Sequence, residues 1–328
     1  MSIHPRFSGP AAQALPSSDA RIVITGASGW IGKATLELLY NTLGRGDFAK
    51  RVFAFGSSVR RIEFGVGAID QKPLAGIFAL PRAPTLVVHL AFLSKDRVAG
   101  MDELDYRRAN RVIGQTVFDA LDDIGATAVF VASSGAAEFA DDPKASPAMR
   151  LYGSLKRADE EAFSRWAEEC GRRAVIARIF ALSGPHINKH DNYALASFIR
   201  DALAGRAIAI RSDIPVYRSY VAIREIMSLV FAAMLDERAG VVRFSTGGER
   251  LEMQRIAEIV AEALGPVPVE RPPLRTGKAD EYVGNDVAYQ RLLSAYGIKH
   301  LPFRDQIAET AASLAAAHPS ADKRKRYA

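Results

Sequence analysis

The sequence predicts an α/β fold, a doubly wound parallel sheet with a second, smaller lobe at its C-terminal side, on three observations. Short β-rich runs alternate with helical patterns at spacings of roughly 20 to 30 residues, as strands joined by crossover helices do. The stretch "RIVITGASGWIGKATLELL" (21–39) gathers Gly26, Gly29 and Gly32 where the first strand hands over to the first helix. After Gly184-Pro185 the alternation gives way to mixed short elements, the mark of a change of lobe.

Strands are expected at "RIVITG" (21–26), "RVFAFG" (51–56), "RIEFGVG" (61–67), "TLVVHLAF" (85–92), "AVFVASS" (128–134) and "AVIARIFAL" (174–182). Between them the clearest helices are "GWIGKATLELLYNTL", "DELDYRRANRVIGQTVFDALDDIG" and "YGSLKRADEEAFSRWAEECG". The last carries Leu155, Ala158, Ala162, Phe163, Trp166 and Cys170 at helical spacing and stops at Gly171. Residues 20–184, with "VVRFSTGG" and its surroundings at about 223–248 returning to the sheet, form the first domain. Residues 185–222 and 249–316 form the smaller lobe, residues 1–19 a flexible arm and residues 317–328 a basic flexible tail.

The chain has 328 residues, 48% of them hydrophobic, enough for a substantial core. Its net charge of +6 owes much to Lys323, Arg324, Lys325 and Arg326 in the tail, so the body is near neutral and nucleic acid is not an expected partner. Cys170 is the only cysteine, which rules out an internal disulfide and suits a reducing cytoplasm. The longest strongly apolar stretch, "IMSLVFAAML", falls far short of the ~20 residues of a membrane span, and the start lacks the apolar centre of a signal peptide. The expectation is a cytoplasmic protein with no membrane partner. Six scattered histidines and one cysteine offer no metal cluster.

The glycines point to a dinucleotide. Backbone N–H groups at a helix N-terminus can approach a pyrophosphate only where no Cβ intervenes. Gly26 would allow the tight turn, Gly29 the close approach and Gly32 the packing of helix on strand, as in a Rossmann-type domain. Gly26, Ser28, Gly29, Trp30, Ile31 and Gly32 are therefore cofactor-binding candidates. A carboxylate at the end of the second strand would suit the ribose of NAD, whereas a 2′-phosphate favours small donors and arginine. Here stands "FGSSVRR", with Ser57, Ser58, Arg60 and Arg61 and no acid before Glu63, so NADP is expected over NAD.

"FVASSG" places Ser133 and Ser134 just past a strand, and "YGSLK" places Tyr152 and Lys156 one helical turn apart. A phenol needs a neighbouring positive charge to exchange protons near neutrality, and Lys156 with an oxidised nicotinamide would lower it. A serine would hold the substrate oxygen beside it. The spacing G-x-x-G-x-x-G, the serine pair and Y-x-x-x-K together resemble the extended short-chain dehydrogenases/reductases, the nucleotide-sugar epimerases, dehydratases and reductases, over roughly residues 20–315.

That resemblance implies further roles. Ser134 is preferred over Ser133 because the family's serine precedes small residues, as in "SGA". "TLVVHLAF" looks like the family's fourth strand, with Leu90 and Ala91 passing under the cofactor, and Asn110 matches a family asparagine. Asp70, after the third strand, either reaches the adenine or is a surface aspartate. In "VYRSYVAIREI", Arg218 matches the arginine that meets the diphosphate of a nucleotide sugar, and His186 stands near the lobe junction as a substrate candidate. His89 reads as a packed core residue. Departures are Ala181 where the family has a linker asparagine, "AEFA" in place of Val-Tyr-Gly, and Arg224-Glu225 where two acids are common.

Dehydratases of this kind carry an Asp-Glu pair after the active-site hydroxyl; this chain has Gly135-Ala136. The resemblance thus implies NADPH-dependent reduction of a nucleotide-linked 4-keto sugar, with a retained-cofactor 4-epimerase and a non-catalytic NADP-sensing regulator as alternatives. It also implies a homodimer through a four-helix bundle built from the helices around 103–124 and 154–170.

Overall fold

The computed structural model describes residues 5–317 apart from 239 and 276. The strands begin with β1 (Arg21–Thr25), β2 (Val52–Gly56), β3 (Arg60–Phe64), β4 (Gly67–Pro73), β5 (Thr85–His89), β6 (Ala126–Ser134) and β7 (Arg173–Ile179). They continue with β8 (Ala181–Ser183), β9 (Ile208–Ala209), β10 (Val216–Arg218), β11 (Tyr220–Ala222), β12 (Val241–Ser245), β13 (Leu251–Glu252), β14 (Val269–Glu270) and β15 (Asp280–Tyr282). The helices are α1 (Pro10–Ser17), α2 (Trp30–Arg51), α3 (Glu103–Asp123), α4 (Pro147–Glu169), α5 (Ala194–Leu203), α6 (Ile223–Leu235), α7 (Met253–Leu264), α8 (Asp286–Ala295) and α9 (Phe303–Ala317).

Eight strands form the main sheet in the order β12-β7-β6-β5-β1-β2-β4-β3, every pair parallel except β3 with β4. Every residue of β1 and β5 is buried, as strands covered on both faces require. The pleat divides them. Ile22, Ile24, Val88 and Phe130 pack with Leu36, Leu39 and Phe231 from α2 and α6. Val23, Val87, Val129 and Ile176 pack with Val117, Leu121, Phe163 and Trp166 from α3 and α4. Asp102 caps α3 through the amides of Leu104 and Asp105, and Ser146 with Pro147 opens α4. The expected return of "VVRFS" to the sheet is β12, parallel to β7. β10, β13 and β15 form a small sheet in the C-terminal part, while β8 pairs with β11 and β9 with β14.

Three expectations are corrected. The strand expected at 61–67 is the outer arm of a hairpin, and β4 takes the parallel place beside β2. Buried Ile62 and Phe64 alternate with exposed Arg61 and Glu63, so this segment suits a sheet edge, where charges discourage further pairing. The strand expected at 174–182 breaks at Phe180, whose amide donates to Thr246 Oγ1 at 3.0 Å, and β8 leaves for a different sheet.

The arm expected to be loose is packed from residue 5 onward; Phe7, Ala11 and Leu15 are buried. The Phe7 ring meets Phe231 edge-on at 5.0 Å, Ser228 Oγ accepts the Ser8 amide at 3.0 Å, and Arg51 binds the carbonyls of Leu15 and Ala20. The reason lies in α6, which is buried almost all round and so needs cover on its outer side as well. Residues 1–4 and the tail from 318 lie outside the described residues.

Phe7→Ala should therefore cost about 3 kcal/mol in urea unfolding, the usual loss at an emptied aromatic site; a loose arm would leave the transition where it is.

Candidate active site

The β1–α2 turn is pressed against the exit of β5. Gly26 has φ 69°, and a Cβ there would lie 2.7 Å from the Ala91 nitrogen and 2.8 Å from the Leu90 carbonyl carbon. A Cβ on Gly32 would lie 2.5 Å from the Ala27 oxygen, so α2 seats directly on the turn. At Gly29 it would meet only the Gly26 oxygen, at 3.2 Å, and otherwise open space. Gly29 is the residue before α2, its amide donating to the Gly26 carbonyl at 3.0 Å, and among the described residues no side chain caps that end. The first-turn amides are left for a ligand, and the positive end of the helix favours an anion such as a pyrophosphate. These residues fit a dinucleotide.

Trp30 offers only its backbone to such a ligand: its indole is buried, donates to the Pro185 carbonyl at 2.8 Å and lies 5.1 Å from the Tyr193 ring. Ile31 packs on the core and Ser28 is half-buried. Beside the turn, Thr25 Oγ1 pairs with His89 Nδ1 at 2.8 Å and accepts the Ala91 amide at 3.3 Å, fixing Leu90 and Ala91 next to Gly26. His89 is a packed core residue; burial, with the Lys156 charge, pulls it down to about 3 and keeps it neutral. Asn110 is buried with both ends of its amide engaged, accepting from the Leu93 amide at 2.7 Å and donating to the Tyr106 carbonyl. It secures the loop after β5 rather than presenting a free amide.

At the end of β2, Ser57 and Ser58 are exposed, and Arg60 donates to Ser58 Oγ at 3.1 Å. Arg61 and Asp70 form a solvent-exposed pair at 3.3 Å. Asp70 thus lies within β4, facing solvent; the pleat turns its neighbour Gln71 inward instead. Gln71 donates to the Ser58 carbonyl at 2.8 Å, fills the place of a Cβ on Gly56, and leaves Oε1 buried without a partner.

The reacting groups converge from β6, α4 and β15. Ser146 and Pro147 set the start of α4 so that Tyr152 and Lys156 stand one turn apart beside the end of β6. Lys156 Nζ is buried, donates to the Ala132 carbonyl at 2.7 Å, stands 3.7 Å above the Phe92 ring and lies 6.0 Å from the Tyr152 ring centre. Burial pulls this ammonium down to about 8 against the charges of Asp159 and Glu160. Burial likewise pushes the Tyr152 phenol well above its ordinary value; Tyr282 and Tyr106 add to the rise and a hydrogen bond with Ser134 opposes it. Lys156 faces a carbonyl and an aromatic ring, and burial dominates at the Tyr152 phenol.

Ser134 Oγ lies 3.0 Å from the Tyr282 hydroxyl and accepts the Ala136 amide at 3.2 Å. Ser133 turns to Glu160, which Arg178 grips at 2.7 and 2.9 Å, so Ser134 is the serine that faces the phenol.

Of the two substrate candidates, His186 adopts φ 66°, and its Nε2 sits 2.7 Å from Glu37 Oε2 on α2. Arg218 pairs with Asp280 at 2.8 Å and lies in register with Tyr282 across the β10–β15 ladder. Sequence reasoning did not single out Phe92, at the end of the expected strand 85–92, Gln71, in an unforeseen hairpin, or Tyr282, in a three-residue strand.

The family model described as "NAD dependent epimerase/dehydratase family" matches residues 22–245, more than half of the chain. The chain belongs to the NAD-dependent epimerase/dehydratase family. Among curated relatives, UDP-glucuronic acid decarboxylases 6 and 5 of Arabidopsis thaliana are 28% identical over 115 residues, which is 35% of this chain and 33% of each relative's length. Solved structures share the fold over nearly the whole chain. The UDP-N-acetylglucosamine 4-epimerase of Methanobrevibacter ruminantium M1, in complex with UDP-N-acetylmuramic acid, has a TM-score of 0.68 at 19% identity, covering 92% of this chain and 99% of that one. The UDP-glucose 4-epimerase of Thermus thermophilus, in complex with NAD, has 0.67 at 21%, covering 90% and 99%. The dTDP-glucose 4,6-dehydratase DesIV of Streptomyces venezuelae, with NAD bound, has 0.66 at 20%, covering 91% and 98%. Among the described residues no helix is long and apolar enough to cross a membrane.

The glycine turn separates folding from binding. Gly29→Ala should fold with a near-native melting temperature yet lose the roughly 2.7 kcal/mol of stabilisation that a dinucleotide at 100 Kd confers. Gly32→Ala should lose about 1–3 kcal/mol of stability without any ligand, because backbone must move. Thermal unfolding with and without NADP checks both.

Proposed function

We propose that the protein is an NADPH-dependent reductase of a nucleotide-linked 4-keto sugar. The observation that carries this reading is the placing of Ser134 at the end of β6 and of Tyr152 on α4, with buried Lys156 one helical turn away beside the Ala132 carbonyl. A phenol pushed upward by burial is fully protonated at neutral pH, the state a reduction needs. Ser134 orients the carbonyl oxygen, and Tyr152 gives it a proton. The dinucleotide, when bound, supplies the hydride to the carbonyl carbon. Lys156 contributes positive charge beside the phenol that is left. Arg218, with Asp280 as its resting counter-ion, offers a guanidinium to the diphosphate of the substrate.

The choice of NADP rests on Ser57, Ser58 and Arg60 at the end of β2, where no carboxylate would repel a 2′-phosphate. The family's description and the neighbours name NAD, so the two dinucleotides must be compared directly. A 4-epimerase with retained cofactor is the second reading, favoured by the epimerases among the structural neighbours. Dehydration is disfavoured by Gly135-Ala136 after the serine: a Cβ on Gly135 would lie 2.6 Å from the Phe180 ring, leaving no room there for the acid that water elimination requires. A purely regulatory NADP sensor would have no use for the Tyr152–Lys156 pair. The proposal extends to a homodimer through α3 and α4, supported by the exposed Leu104 and Val112 on α3.

The test is to supply nucleotide-linked 4-keto sugars with NADPH or NADH and follow reduced-cofactor absorbance. Stoichiometric loss with NADPH favoured supports the reductase; substrate turnover without net loss supports the epimerase. Tyr152→Phe should lower kcat about 1,000-fold while leaving dinucleotide binding intact, and full activity in that variant would overturn the mechanism.

A further inference from the structure

Across the main sheet one row of paired residues runs Ile24, Ala54, Gln71, Arg60, through β1, β2, β4 and β3. Residues paired in this way share a face, and buried Ile24 and Ala54 pack with Leu36 and Leu39 of α2. Gln71 and Arg60 therefore stand on the α2 side of the sheet. The Gly26 amide donates to the Phe55 carbonyl at 2.9 Å, so β2 ends at Gly56 directly beside the glycine turn and the uncapped start of α2. Ser134 and Tyr152 lie on the other side of that turn, beyond β5. A dinucleotide whose pyrophosphate meets α2 and whose nicotinamide reaches Tyr152 must lay its adenosine toward β2 and β4.

A Cβ on Gly56 would lie 2.5 Å from Cδ, Oε1 and Nε2 of Gln71, so the carboxamide occupies the place a side chain of residue 56 would take. A carboxylate at the end of this strand is what accepts the ribose hydroxyls of NAD. Here a neutral amide stands instead. Gln71 is 1% exposed, and its Nε2 donates to the Ser58 carbonyl at 2.8 Å. That carbonyl can only accept, which fixes the two ends of the amide. Oε1 is left buried without a partner among the described residues, a cost that an apolar side chain of the same length would avoid. Ser58 is thus held twice: Gln71 binds its carbonyl, and its Oγ accepts from Arg60 at 3.1 Å. An exposed arginine that would otherwise sweep a wide arc is drawn to one hydroxyl.

We propose that Gln71 is a positioning residue that sets the preference between NADP and NAD: it holds Ser58, and through it Arg60, for a 2′-phosphate, and it fills with a neutral group the place where a carboxylate would repel that phosphate. The inference rests on the reading of Ser57, Ser58 and Arg60 as the 2′-phosphate site.

The test is calorimetric titration of NADP and of NAD into the protein, which needs no turnover. Gln71→Met keeps the length of the side chain and gives up its hold on Ser58; NADP should bind about fivefold more weakly, with NAD within about twofold. Gln71→Glu puts a carboxylate in the same place and should weaken NADP about fiftyfold, again with NAD within about twofold. Gly56→Ala pushes the carboxamide off Ser58 from the other side and should copy Gln71→Met, and it answers the same question if Gln71→Met does not fold. The double variant Gly56→Ala/Gln71→Met should bind NADP no more weakly than either single variant. NADP and NAD weakened alike, or neither weakened, would leave Gln71 a structural role and overturn the proposal, as would additive losses in the double variant. If the unaltered protein binds NAD more tightly than NADP, the NADPH reading fails, while the change in the ratio of the two affinities still decides the part of Gln71.

Discussion

At Gly26 the backbone leaving β1 passes so close to the backbone leaving β5 that the space between them admits no side chain. That contact fixes the direction in which α2 sets out and brings an uncapped helix end to the carboxyl rim of the sheet. Thr25 and His89, side by side on the same two strands, brace it with a buried hydrogen bond. Among the described residues no side chain caps that helix end, so its first-turn donors and positive potential suit an anionic ligand.

The second half of the site is governed by burial rather than by charge. The ammonium of Lys156 is enclosed beneath Phe92 and bound to the Ala132 carbonyl, one helical turn from Tyr152. What opposes the cost of burying that phenol is a neighbouring hydroxyl, Ser134. Burial therefore keeps this phenol protonated. Glu160, gripped by Arg178, takes the adjacent Ser133 out of play and keeps α4 in register with β6.

Much of this was legible in the sequence because it is local. Glycines at a strand–helix junction, a Tyr and Lys one turn apart and two serines at a strand end are patterns whose geometry follows from the backbone period alone. Where side chains pair across the fold, the pattern said little. The pairing of His186, with its left-handed backbone, to Glu37 on α2 was not foreseen. Asp70 lies in an unforeseen hairpin, where the pleat turns it to solvent and Gln71 inward. Tyr282 comes from a segment, "RTGKADEYVGND", that forms only a three-residue strand and owes its place to β10 and two phenylalanine rings. The N-terminal segment was misjudged because its partner, α6, lies over 200 residues away in the chain.

The central claim, that the bare end of α2 receives the pyrophosphate, is tested most directly by titrating NADP into amide-labelled protein and following backbone N–H resonances. The account predicts that the largest shifts fall on residues 29–32, with smaller ones at Leu90 and Ala91. Shifts concentrated elsewhere, with those four amides unmoved at saturation, would contradict it.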